Sequence, residues 1–142
     1  MLARIGIAAL ISLGLLGAGA PVQAEDEQPV VVELYTSQGC SSCPPANAFF
    51  SILAGREDVI ALGFHVDYWD YIGWRDVFGS PAYSARQKGY ARAAGRRSVY
   101  TPQMIVQGDR DVVGNHPMDV TDLIQSYRGA ERDVRLSLKR GA

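Results

Sequence analysis

Apolar and polar residues fall into short blocks along the chain. Val30-Val31-Val32-Glu33-Leu34-Tyr35 is an almost continuous apolar run, the pattern of a buried strand. Ala46, Phe49, Phe50 and Leu53 follow at helical spacing and Gly55 offers a stop, which predicts a helix over 46–54. Residues 59–66 form a second apolar run and a second expected strand. Two strands joined by a helix make a right-handed unit, so these two should run parallel. Ser80-Pro81 is a helix start, an N-cap followed by proline at the first helical position. Tyr83, Tyr90 and Ala94 would be the buried stripe of that helix, and Gly95 its end. In Val99-Tyr100-Thr101-Pro102-Gln103-Met104-Ile105-Val106 the proline can head a strand only at its first position or on an edge. Gly108-Asp109-Arg110 reads as a turn and residues 111–113 as a short return strand. Asn115-His116-Pro117 opens a last helix with Val120, Leu123, Ile124 and Tyr127 as its apolar face, and Gly129 closes it. The expected order is β-α-β-α-β-β-α, an α/β fold, with no internal repeat.

The first residues have a different character. Arg4 supplies one positive charge, residues 5–20 are apolar apart from Ser12, and Val22-Gln23-Ala24 places small residues where a signal peptidase reads. This predicts a signal peptide over 1–24, export, and no stable membrane insertion after cleavage. An uncleaved anchor is the alternative, but the apolar run is shorter than the usual span. Glu25 stands where a lipid anchor at that cut would need cysteine. One domain is expected over 25–129, followed by a tail, 130–142, in which Val134-Arg135-Leu136-Ser137-Leu138-Lys139 alternates like a strand. A net charge of −1 argues against a nucleic-acid partner.

The chemistry centres on the two cysteines, Cys40 and Cys43, in Gly39-Cys40-Ser41-Ser42-Cys43-Pro44-Pro45. They sit on the passage from the first strand into the first helix. A thiol there feels unpaired N–H groups and the positive end of the helix, which favour thiolate. Either Ser42 caps the helix with both prolines in its first turn, or the helix starts at Cys40 and is kinked. Two cysteines in an exported chain could also be a structural disulfide. So short a loop restrains the unfolded chain weakly, by about 2 kcal/mol, and a staple would do more between distant segments. Glu33 is the one charge in the first strand; it is either a proton acceptor beneath the dithiol or an edge residue reaching water.

Phe64-His65-Val66-Asp67-Tyr68-Trp69-Asp70-Tyr71-Ile72-Gly73-Trp74-Arg75-Asp76 leaves the strand edge that carries the cysteines. It reads as a substrate-groove wall, since open α/β sheets bind ligands beyond their strand C-termini, or as a loop packing its rings on the sheet end. Arg86, Lys88, Arg92, Arg96 and Arg97 form a solvated basic face or a docking patch for an acidic partner. Two thiolates with His65 or His116 could instead hold Cu(I), making the protein a copper carrier. The histidines lack zinc-site spacing.

Cys-x-x-Cys after the first strand, joined with Thr101-Pro102 before the third, resembles the thioredoxin fold over nearly all of the mature chain. More narrowly, Glu33-Leu34-Tyr35-Thr36-Ser37-Gln38-Gly39-Cys40-Ser41-Ser42-Cys43-Pro44-Pro45-Ala46, the 65–74 stretch and Tyr100-Thr101-Pro102-Gln103-Met104 resemble a family of secreted bacterial thioredoxin-like proteins catalogued as a domain of unknown function. Its members are usually longer, with a β-rich C-terminal part, so 130–142 reads as the start of such an extension. The resemblance implies a four-stranded mixed sheet flanked by helices and a thiol–disulfide oxidoreductase, periplasmic or secreted, needing no cofactor beyond the dithiol. It implies Cys40 as attacking thiol, Cys43 as resolving thiol, Pro102 as a cis-proline presenting the substrate backbone, and Glu33 as buried acid. Thr101, Tyr68, Trp69 and Trp74 are the substrate-binding candidates, and disulfide- or thiol-containing proteins or small molecules the partners. The Ser-Ser pair between the cysteines, and the absence of lysine near Glu33 on the second strand, depart from thioredoxin. A binding module with an inert disulfide is a further alternative.

Overall fold

A computed structural model describes residues 28–130. The expected signal peptide and the 134–139 alternation lie outside the described residues. The elements are β1 (Val30–Thr36), α1 (Pro44–Ala54), β2 (Val59–His65), a 3-10 turn (Asp70–Ile72), α2 (Pro81–Ala93), β3 (Gln103–Val106), β4 (Arg110–Val113) and α3 (Pro117–Tyr127). The order matches the sequence pattern, with the short 3-10 turn added inside the aromatic loop.

The sheet runs β2-β1-β3-β4. β1 and β2 are parallel, as a helix-linked pair should be. β3 lies antiparallel to β1, and β4 antiparallel to β3. This four-stranded mixed sheet with helices on both faces is a thioredoxin-like fold. Among the described residues no helix is long and apolar enough to cross a membrane.

Alternation along β1 decides which side chain meets which helix, because successive residues point to opposite faces. Val30, Val32 and Leu34 join Ala46 and Leu53 of α1 and Val120 and Ile124 of α3 in one core. Tyr35, with Ile105 and Val66, forms a second core against Phe64, Tyr68, Trp69 and Tyr90. Glu33 shares the parity of Tyr35 and therefore faces α2.

Helix α2 departs from its expected stripe. Ser80 caps it as anticipated, accepting from the Ala82 N–H at 3.3 Å. Its buried residues, however, are Ser84 and Gln87, while Tyr83 and Tyr90 are half-buried and Ala94 is exposed. The buried face is polar because it is hydrogen-bonded. The Gln87 amide donates at 2.7 Å to the Tyr100 carbonyl and to Gln103 Oε1, and accepts from the Tyr68 hydroxyl at 3.1 Å. Such a face costs little only when every polar atom has a partner. The basic face is partly structural too: Arg86 binds Glu33 and Arg96 binds Asp111.

Candidate active site

Helix α1 begins one residue later than the Ser42-capped alternative. Cys43 is the N-cap and both prolines occupy the first two helical positions, where a missing N–H costs nothing. Cys40 and Cys43 span a tight turn, closed by the Cys43 N–H donating to the Cys40 carbonyl at 3.2 Å. They are joined as a disulfide with Cα atoms 5.4 Å apart. Cys40 is 3 % exposed and Cys43 fully buried, so the sulfur expected to attack is nearly covered. The two prolines also remove two of the N–H groups that would face an anion at the helix start. The Ser42 hydroxyl, 3.6 Å from Cys40 Sγ, is a donor the sequence reading did not single out.

The Thr101–Pro102 peptide is cis. Pro102 reaches the dithiol helix through Gly114, whose N–H donates to the Pro102 carbonyl at 3.0 Å. A Cβ on Gly114 would lie 3.2 Å from Pro102 Cβ, 3.3 Å from Ala46 Cβ and 3.4 Å from Leu34 Cδ1. Glycine thus lets the cis-proline loop close on the first turn of α1. The base of that turn is tied to β1 by the Thr36 hydroxyl donating to Asn47 Oδ1 at 2.8 Å.

The aromatic loop folds over the same edge. Gly39 has no room for a side chain: an added Cβ would meet Trp69 Cβ at 3.0 Å and Ile72 Cδ1 at 3.2 Å. The Trp69 indole N–H donates to Thr101 Oγ1 at 2.8 Å and the Trp74 indole N–H to Gln38 Oε1 at 3.0 Å. Trp69 thereby bridges the dithiol turn and the cis-proline loop, and Trp74 flanks the turn while its ring stays largely in solvent. Tyr68 is turned inward toward Gln87. Trp69 and Tyr68 pack on the sheet end, as the packing alternative expects, whereas Tyr71, Ile72, Trp74, Val77 and Phe78 stand exposed.

Asp76 organises that loop. Its Oδ2 accepts from the Gln38 N–H and faces His65 Nδ1, both at 2.7 Å, and its Oδ1 accepts from the Phe78 N–H at 3.0 Å. Burial pushes this carboxyl up, but His65 and then the two backbone donors outweigh it and hold it below the ordinary range. Sequence gave one signal for it, an acid in a loop otherwise rich in rings, but no partner.

Glu33 is the clear correction. It is 2 % exposed, so the edge alternative fails, and it is not free to accept a proton beneath the dithiol. Arg86 binds it through two bonds, Nε to Oε2 at 2.9 Å and Nη2 to Oε1 at 2.6 Å. The hydroxyls of Tyr35 and Tyr90 donate to it at 2.7 and 2.8 Å. Burial raises its pKa, but Arg86, Tyr35 and Tyr90 together carry it below the usual value. It also lies on the α2 face, across the sheet from α1.

Both histidines are paired with carboxylates. His65 faces Asp76, and His116, at the start of α3, lies 3.3 Å from Asp119. Among the described residues no group of three or more metal-ligating side chains converges. A depression lined by Tyr90, Ala94, Arg96, Gln103 and Asp111 opens between α2 and β4 and holds none of the predicted site residues.

A family model described as "Protein of unknown function (DUF1223)" matches residues 31–142. The chain belongs to this family. A protein of known crystal structure from Agrobacterium tumefaciens is 44% identical with a TM-score of 0.68; the match covers 73% of this chain and 47% of that one. The chain therefore spans about half the length of that protein. A mutant thioredoxin from Halobacterium salinarum aligns at 21% identity with a TM-score of 0.47, over 74% of this chain and 80% of that one. No curated protein matches this DUF1223 chain by sequence.

Proposed function

We propose that this protein is an exported thiol–disulfide oxidoreductase, working in the periplasm or outside the cell on disulfide- or thiol-containing partners. One observation carries the reading: the Cys40–Cys43 disulfide at the mouth of α1, with the cis-proline loop packed on the same first turn through Gly114. A staple has no need of that second loop.

In the reducing direction the Cys40 thiolate attacks one sulfur of a substrate disulfide. A Cys40–substrate bond forms, the substrate disulfide breaks, and the released sulfur leaves as a thiolate. Cys43 then attacks Cys40 Sγ, breaks the mixed disulfide and closes the Cys40–Cys43 bond. The Cys43 proton goes to the departing substrate thiolate. Two electrons pass from the dithiol to the substrate, and the oxidising direction reverses each step. Glu33 has no part in this scheme.

The experiment is a pair of variants. Cys43→Ser should accumulate mixed disulfides with substrate thiols, and Cys40→Ser should abolish exchange. Failure of Cys43→Ser to trap any partner would retire the proposal.

A second reading is favoured by the near-complete burial of Cys40: a binding module with an inert disulfide, presenting its exposed aromatic loop. It requires that the disulfide of the native protein resist millimolar glutathione indefinitely, and equilibration within minutes would exclude it.

A further inference from the structure

Asp76 is a buried carboxylate that the exchange steps do not use, and three segments converge on it. The end of β2 supplies His65, the turn before Cys40 supplies the Gln38 N–H, and the aromatic loop supplies the Phe78 N–H. The backbone of Asp76 is held as well. Its N–H donates to Asp70 Oδ1 at 3.1 Å and its carbonyl accepts from Gly79 at 2.9 Å.

Gln38 is the first central residue of the turn that delivers Cys40. That turn is closed by the Cys40 N–H donating to the Ser37 carbonyl at 3.2 Å, and the Gly39 N–H donates to Ser37 Oγ at 3.1 Å. Fixing the Gln38 peptide therefore fixes the plane in which Cys40 is presented. A bond from a backbone N–H to a carboxylate is roughly twice as strong as one between neutral groups. The Gln38 side chain, through Trp74, couples the same peptide to the aromatic loop.

We propose that Asp76 is a positioning residue for Cys40: it acts through the Gln38 peptide and makes the dithiol turn and the aromatic loop move as one body. Its significance rests on the exchange reading, but its measurement does not. The titratable groups facing Asp76 are His65 from β2 and Asp70 from the 3-10 turn. A carboxylate bound to the Gln38 N–H, two residues from Cys40, and the near-complete burial of Cys40 both oppose a negative charge on that sulfur. The latch therefore holds the reduced Cys40 back, and releasing it favours thiolate on both counts.

The test is the pH dependence of Cys40 alkylation by iodoacetamide in the reduced protein, which needs no substrate. Three variants separate the contributions. Asp76→Asn removes the charge and leaves one amide oxygen to serve donors on both sides. Gln38→Pro removes only the N–H from the backbone, at a turn position where proline is well suited. Gln38→Ala keeps that N–H and removes the contact to Trp74. Asp76→Asn and Gln38→Pro should both move the alkylation midpoint to lower pH, speeding reaction below the midpoint by about tenfold per unit. Gln38→Ala should keep the native midpoint. The proposal is overturned if Asp76→Asn and Gln38→Pro melt lower but keep the native midpoint, which is a purely structural role. It is also overturned if Asp76→Asn moves the midpoint and Gln38→Pro does not, since the route then bypasses the peptide. Should Asp76→Asn fail to fold, the Gln38→Pro and Gln38→Ala pair decides alone. Absence of exchange in the native protein would retire the functional reading and leave this one standing.

Discussion

The Trp69 indole N–H and the Thr101 hydroxyl oxygen are 2.8 Å apart, and that bond joins the aromatic loop to the residue before the cis-proline. Because Trp69 also packs on Gly39, one side chain touches both loops that frame the dithiol. Trp69→Phe keeps most of the ring and removes the donor. It should cost about 1 kcal/mol of stability and slow exchange with a protein disulfide about fivefold. Stopped-flow rates equal to the native protein's would remove Trp69 from the substrate groove.

Glu33→Gln tests the correction made at the first strand. The carboxylate is buried against a guanidinium whose side chain is 47% exposed, so the loss should fall below that of a fully buried pair, at roughly 2 kcal/mol. Urea unfolding should show that loss, while the exchange rate per folded molecule stays unchanged. A tenfold fall in exchange with the fold intact would restore Glu33 to the dithiol chemistry.

Those two residues mark how far the sequence can be read. The apolar runs gave β1, β2 and the faces of α1 and α3, because burial there is apolar and periodic. Cys40, Cys43 and Pro102 were legible as a motif joined to an element order. Glu33 was assigned to the wrong partner because one position of strand parity decides the face, and parity is not fixed until the helices are placed. Gln87 and Asp76 were missed for a different reason. Polar residues buried by hydrogen bonds to distant backbone leave no periodic trace in a sequence.

The Ser42 hydroxyl lies 3.6 Å from Cys40 Sγ. In the reduced protein it can donate to a Cys40 thiolate. Ser42→Ala should move the alkylation midpoint of Cys40 to higher pH, slowing alkylation at neutral pH by less than about tenfold. An unchanged profile would mean that the hydroxyl points elsewhere once the disulfide opens.

Stability should fall at both ends of the pH range. The side chain of Arg56 leads the lowering of Asp58 to about 2, and Arg96 holds Asp111 well below the carboxylate range. Glu33 and Asp76 are lowered as well. Folded values below the unfolded ones mean that the unfolded chain binds more protons in acid. This stabilisation is complete above about pH 5 and is lost as pH drops through roughly 4 and below. Tyr100 and Tyr127 are raised to about 12, by burial first and then by Asp111 and Asp109 respectively. Their contribution is present below about pH 10 and is lost as pH climbs beyond it. Urea midpoints should be level from pH 5 to 9 and lower at pH 3; equal midpoints at pH 3 and 7 would contradict the ion-pair assignments.

Gly114→Ala discriminates between a loop that merely packs and one that serves the dithiol. The new Cβ would sit against Pro102 Cβ and Ala46 Cβ at distances tighter than ordinary contact, and neither atom is the far end of a flexible chain; Leu34 Cδ1 would lie at ordinary contact. Overpacking of this kind costs about 1–3 kcal/mol. The strain would fall on the contact between the cis-proline loop and the first turn of α1, so Pro102 should move away from the disulfide. Val120→Ala, in the same core but on α3, is the matched control, losing a similar amount of stability through a small cavity. At equal stability, Gly114→Ala should exchange with protein disulfides several-fold more slowly than Val120→Ala. If the two variants exchange alike, the cis-proline loop acts as packing alone, and the observation that carries the oxidoreductase reading loses its force.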